Sequence, residues 1–142
     1  MIYISKKFTF DMAHMLENHP SKCKNLHGHT YKLYITVGRD ELDNDMVIDF
    51  KDLKNIVEKN VIDKLDHSFA YNLNTNDILI KDIVNLLKKN GRKVYGFKSR
   101  TTCEVMTKEI WDILFNLLKD NGLVLVNIKL YEGEGSYAEY KG

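Results

Sequence analysis

Cysteine and proline are scarce in this sequence, and no apolar run is long enough to cross a bilayer. The two cysteines, Cys23 and Cys103, make no C-x-x-C pair and no disulfide framework. The only proline is Pro20, and no linker, repeat or low-complexity tract divides the chain. Charge of one sign is also missing. Lys and Arg number 21 against 20 Asp and Glu, they are scattered, and the net charge is +1. That balance leaves no basic patch for nucleic acid and no electrostatic case for a membrane partner. The opening MIYISKKF lacks the apolar core of a signal peptide, so the cytoplasm is the expected location.

What remains is an ordinary globular composition, 44% apolar and 29% charged over 142 residues. It predicts one domain spanning 1–142. A strand is expected over about Tyr3 to His14, with Phe8, Phe10, Met12 and His14 on one face by the period of two. A second begins near His27 and puts His27, His29, Tyr31, Leu33, Ile35 and Val37 on one face. Helices are expected from Asp49, with Leu53, Ile56, Val57 and Val61 as the apolar stripe, and over about Ile78–Asn90, ended by Gly91. A third runs over about Cys103–Lys119, with Ile110, Trp111, Leu114 and Leu118 inward. A short strand lies near Lys93–Lys98, and two more lie at about Leu123–Glu132 and Ser136–Tyr140. The order predicts an α+β fold, an antiparallel sheet with helices packed on one face.

The histidines carry the chemistry. In a strand, residues i and i+2 point the same way, so His27 and His29 can reach one metal ion. His14 ends the preceding strand in phase with its apolar face. If the two strands pair antiparallel, all three imidazoles converge at one end of one face. Three protein ligands with an open fourth position is the pattern of catalytic zinc, although imidazole also suits iron, copper or nickel. The plainer alternative is that His27 and His29 are polar strand residues.

Other groups stand near this set. Cys23 lies in the loop just before His27, flanked by Lys22 and Lys24. In a reducing compartment it reads as a reactive thiol, the alternative being a small buried apolar residue. Asp66-His67 offers a carboxylate that can fix an imidazole tautomer for proton transfer, although a solvated Asp-His at a helix end is common. Val124, Val126, Ile128, Leu130 and Glu132 share one expected strand face. A carboxylate ending such a face needs a partner, either a cation or a heterocycle presenting two N–H groups. Glu104 sits where a helix N-terminus favours an acid.

The residues fall into a known order: Phe8-x-Phe10-x-x-Ala13-His14, Cys23-x-x-x-His27-Gly28-His29-x-Tyr31, Val47-Ile48-Asp49-Phe50, Leu65-Asp66-His67, Thr102-Cys103-Glu104-Val105 and Tyr131-Glu132. Over nearly its whole length the sequence resembles the 6-pyruvoyl-tetrahydropterin synthase superfamily. The spacing of Cys23 to His27 is similar to its carboxy branch, the 6-carboxytetrahydropterin synthases of queuosine biosynthesis.

The resemblance implies the tunnelling fold, a four-stranded antiparallel sheet with helices on one face, assembled through its sheets, commonly as a homohexamer of two trimers. It implies a site between subunits, with His14, His27 and His29 as zinc ligands. Cys23, Asp66 and His67 would be the catalytic groups, Glu132 the anchor of the pterin ring, and Thr102 and Glu104 neighbours of the pterin pocket. It implies a lyase acting on 7,8-dihydroneopterin triphosphate. Two other outcomes stay open: a 6-pyruvoyl product or another pterin side-chain reaction, and a non-catalytic zinc-stabilised module whose fourth ligand is His19 or Cys23. Three departures from the family pattern touch the pocket: Thr101-Thr102 for Pro-Thr, Glu132-Gly133 for Glu-Thr, and Met12 for an alanine.

Overall fold

One long antiparallel pair organises the chain. In the computed structural model, which describes residues 1–142, β1 (Ile2–His14) and β2 (His27–Arg39) pair rung for rung. The ladder runs from Ile2 opposite Arg39 to His14 opposite His27. The expected alternation holds. Phe8, Phe10, Met12 and His14 are buried while Lys7, Thr9 and Asp11 are exposed, and Tyr31, Leu33, Ile35 and Val37 are buried on β2.

The helices cover the buried face. α1 (Phe50–Val57) starts at an Asp49 N-cap whose carboxylate accepts from Lys51 N at 2.7 Å. A π-helical turn (Glu58–Ile62) follows, then the short α2 (Asp63–Leu65). Leu53, Val57, Val61 and Leu65 are buried, whereas Ile56 packs only partly against the core. β3 (Ser68–Asn72), α3 (Ile78–Lys89) and β4 (Val94–Phe97) come next. α4 (Cys103–Asp120) then buries Ile110, Trp111, Leu114 and Leu118 as expected. β5 (Val124–Tyr131) and β6 (Tyr137–Tyr140) close the chain. One apolar core joins β1, β2 and β5 to α1 and α4, and a smaller cluster of Met15, Phe69, Ile80 and Val84 sits under α3.

The sheet departs from the expected four antiparallel strands. It has six, in the order β4-β3-β1-β2-β5-β6, and it is mixed, because β3 runs parallel to β1 and β4 parallel to β3. β3 escapes a periodicity search for a physical reason. Ser68, Phe69 and Ala70 are all buried, so the run has no alternation to read. The connection through α3 supplies the crossover that a parallel pair requires.

β5 departs as well. Its pairing with β2 shifts register between Thr36 and Val37, which face Asn127 and Leu125 and leave Val126 as the extra residue. Beyond the bulge the facing residue changes. Leu125, Ile128 and Leu130 are buried, while Val124 is exposed. The single face expected for Val124, Val126, Ile128, Leu130 and Glu132 is therefore broken at Val126. No helix is long and apolar enough to cross a membrane.

Candidate metal centre

The last rung of the β1–β2 ladder builds the site. His14 lies opposite His27, and His29 follows two residues along on the same face. The ring centroids stand 4.6 Å (His14–His27), 5.0 Å (His27–His29) and 5.4 Å (His14–His29) apart. Ligand atoms of the three imidazoles and the Glu132 carboxylate all lie within 4.8 Å of one another.

Hydrogen bonds fix which nitrogens are free. A carbonyl oxygen only accepts, so the nitrogen facing it carries the proton. His14 Nδ1 donates to the Thr101 carbonyl at 2.9 Å, and His27 Nδ1 to the Asn25 carbonyl at 2.7 Å. Both Nε2 lone pairs are thereby turned to the shared centre, the arrangement that outer-shell carbonyls give to metal-binding histidines. Burial, aided by the neighbouring imidazoles, pushes His14 down to about 4. It is neutral near pH 7, as a ligand must be.

His14 Nε2 and His29 Nε2 are buried without a hydrogen-bond partner. Such orphans are rare in native proteins and call for an ion, a water or a function. Glu132 Oε1 lies 2.9 Å from His29 Nε2 and 3.8 Å from His14 Nε2, close in distance but not a hydrogen bond to either. Two Nε2 lone pairs freed by Nδ1 hydrogen bonds, with the unpartnered Nε2 of His29 beside them, fit a divalent ion of the zinc class.

A second cluster forms around Asp66. Its Oδ1 accepts from the backbone N–H of Asp11 at 2.9 Å and lies 2.9 Å from His67 Nδ1. His67 N donates to the Asp11 carbonyl at 2.7 Å, and His67 is held at φ 61, a strained value for a residue with a Cβ. The Asp11 carboxylate accepts from Thr30 at 2.6 Å. Asp11 and Thr30 belong to the exposed face of the sheet, opposite His14 and His29. A cavity of about 410 Å³ is lined by Asp11, Gly28, His29, Thr30, His67 and neighbouring residues.

Residues 3–142 match the family described as 6-pyruvoyl tetrahydropterin synthase. The chain belongs to that family. It is 45% identical over 146 residues to the 6-carboxy-5,6,7,8-tetrahydropterin synthase of Haemophilus influenzae, covering 99% of each chain. Its identity to the Aquifex aeolicus protein of the same name is 35%, over 97% of this chain and 96% of that one. The solved 6-pyruvoyl tetrahydropterin synthase of Plasmodium falciparum superposes with a TM-score of 0.73 at 22% identity, covering 98% and 96% of the two chains. Membership of the 6-pyruvoyl tetrahydropterin synthase family makes the chain a lyase.

Within that family frame the expected residues distribute unevenly. The three histidines converge. Glu132, expected to meet a cation or a heterocycle and, by the resemblance, to anchor the pterin ring, stands beside them. Cys23 stands outside both clusters, half-buried on a short 3-10 turn (Lys22–Lys24), and its carbonyl accepts from Leu16 N at 3.0 Å. His19 is turned to Ser21 and does not approach the centre. Thr102 caps α4 through Val105 N at 3.3 Å, and Glu104 is exposed on the first turn of that helix. Cys103 is an inert thiol. It donates to the Leu130 carbonyl at 3.1 Å, and burial pushes it up to about 11. Sequence reasoning missed Thr101, whose carbonyl orients His14, and Asp11, whose backbone grips Asp66-His67. Both act through main-chain atoms, which leave no residue-type signal.

Proposed function

We propose that this protein is a zinc-dependent lyase that converts 7,8-dihydroneopterin triphosphate and water to 6-carboxy-5,6,7,8-tetrahydropterin, acetaldehyde and triphosphate. The observation that carries the reading is the convergence of His14, His27 and His29, with the Nε2 atoms of His14 and His27 freed by their Nδ1 hydrogen bonds. The names and near-complete coverage of the Haemophilus and Aquifex relatives support the carboxy reaction over the pyruvoyl one. Bound zinc supplies Lewis-acid polarisation of the substrate's side-chain oxygens.

The protein's own groups do the rest. Glu132 has a carboxylate free of hydrogen bonds to its neighbours and can take the paired N–H groups of the pterin edge, fixing its orientation. His67, with Nδ1 2.9 Å from the Asp66 carboxylate, offers Nε2 as the atom that gives or takes a proton. Cys23, in the loop between β1 and β2, exchanges a proton with the substrate side chain.

The Asp66-His67 cluster is anchored on the backbone of Asp11, whose side chain lies on the sheet face opposite the histidine centre. This supports a site shared between copies, in which the pair of one subunit serves the metal centre of the next within a homohexamer. Assembly would also cover the short edge strands β4 and β6.

The test is an anaerobic reaction of zinc-loaded protein with 7,8-dihydroneopterin triphosphate, read by mass spectrometry. Acetaldehyde together with the 6-carboxy product is expected. A pyruvoyl product without acetaldehyde would move the protein to the sister reaction. Bound zinc without turnover would favour a binding module.

A further inference from the structure

Glu17 is a buried carboxylate in a loop, only 9% exposed, and no Lys or Arg pairs with it. Burying such a group is costly unless donors replace its water. Here two donors do so, one from the end of β3 and one from the turn that joins β3 to α3. Asn72 Nδ2 donates to Oε1 at 3.1 Å, and the Thr75 hydroxyl donates to Oε2.

That turn is itself well braced. Asn74 N bonds Asn72 Oδ1 at 2.9 Å, Asn74 Nδ2 bonds the Lys98 carbonyl at 2.8 Å, and Asp77 N bonds Thr75 Oγ1 at 3.1 Å. On the other side, Leu16 N holds the Cys23 carbonyl at 3.0 Å. Asn18, the residue after Glu17, turns the chain at φ 58. The stem of the loop bearing Cys23 is thus tied to the crossover by Met15, packed against Phe69, Ile80 and Val84, and by the polar bonds of Glu17, and its thiol-bearing turn is tied to that stem by a backbone bond.

We propose that Glu17 is a positioning residue that sets the place of Cys23 relative to the histidine centre. The proposal rests on the reading of Cys23 as the working thiol. A carboxylate suits the task because it offers one acceptor to each of two residues. An apolar side chain of similar size would leave the buried Thr75 hydroxyl and the part-buried Asn72 amide without partners and would loosen the stem beyond Met15. A displacement on the order of 1 Å at a reacting group costs roughly a hundredfold in rate.

The test compares zinc-loaded wild type, Glu17→Ala and Glu17→Gln by iodoacetamide alkylation of Cys23 and of Cys103, by zinc content and by turnover. Cys103 lies under β5, away from this loop, and reports general loosening. In Glu17→Ala, Cys23 alkylation is expected to rise roughly fivefold or more through local opening, with zinc content and Cys103 unchanged. kcat should fall roughly tenfold or more with KM little moved. Glu17→Gln, which keeps one carbonyl oxygen and can still bond Thr75, should recover most of both. Unchanged Cys23 alkylation, or a parallel rise at Cys23 and Cys103, would overturn the proposal. If Glu17→Ala does not fold, Thr75→Val removes one leg of the tie from the far side and carries the same expectations. Cys23→Ala run alongside keeps the readings apart: full turnover there overturns the thiol role, while alkylation in the Glu17 variants decides the tether alone.

Discussion

His14 and His27 face each other across the final rung of the β1–β2 ladder, their rings 4.6 Å apart, each with Nδ1 bound to a backbone carbonyl. The pairing makes the metal centre a property of strand register. Slipping β2 by one residue would turn His27 and His29 to the other face.

Removing any one of the three imidazoles should therefore abolish tight zinc binding. His14→Ala, His27→Ala and His29→Ala are each expected to lose most bound zinc while the sheet core stays intact. Elemental analysis after gel filtration, with circular dichroism as the folding control, checks this. Stoichiometric zinc in the His14 variant would remove that residue from the ligand set.

Cys23→Ala should keep zinc and lose most turnover, because the thiol lies outside the ligand cluster. The combination of full metal content with a kcat reduced roughly a hundredfold or more is the expected signature of a proton-transfer group. Normal turnover would assign the thiol no part in the chemistry.

Subunit sharing has a distinctive consequence. Cys23→Ala and His67→Ala should each be inactive alone. Mixed, dissociated and reassociated, they should regain a fraction of wild-type activity, since some interfaces pair an intact thiol with an intact imidazole. Mixtures that remain inactive after confirmed subunit exchange would place both groups in one chain's site.

His14 gives the metal-free protein a pH dependence of known sign. Its imidazole sits at about 4 in the fold against 6.5 in an unfolded chain. Between these values the unfolded chain takes up the proton and the folded one does not. The stability contribution is complete above about pH 6.5 and is lost as pH falls towards 4, by roughly 3 kcal/mol in all. Thermal melts of metal-free protein from pH 7.5 to 4.5 should show the decline, and His14→Asn should flatten it.

The sequence and the fold agree where side-chain alternation is the signal. Phe8 to His14 and His27 to Val37 could be assigned to one face by counting, and the histidine cluster followed from that count. Agreement fails where main-chain geometry decides. The bulge at Val126 re-aims the start of β5, and Ser68–Asn72 pairs in parallel with no period to display. Glu17 shows a third kind of failure. Its partners lie 55 and 58 residues away, and nothing in the loop's own composition marks the carboxylate as buried.

The central claim is that three histidines hold the metal and Cys23 stays off it. Zinc-edge X-ray absorption on the loaded protein tests that most directly. The expected first shell is three imidazole nitrogens and oxygen at about 2.0–2.2 Å. A sulfur neighbour at about 2.3 Å would make Cys23 a ligand, close the site and contradict the account.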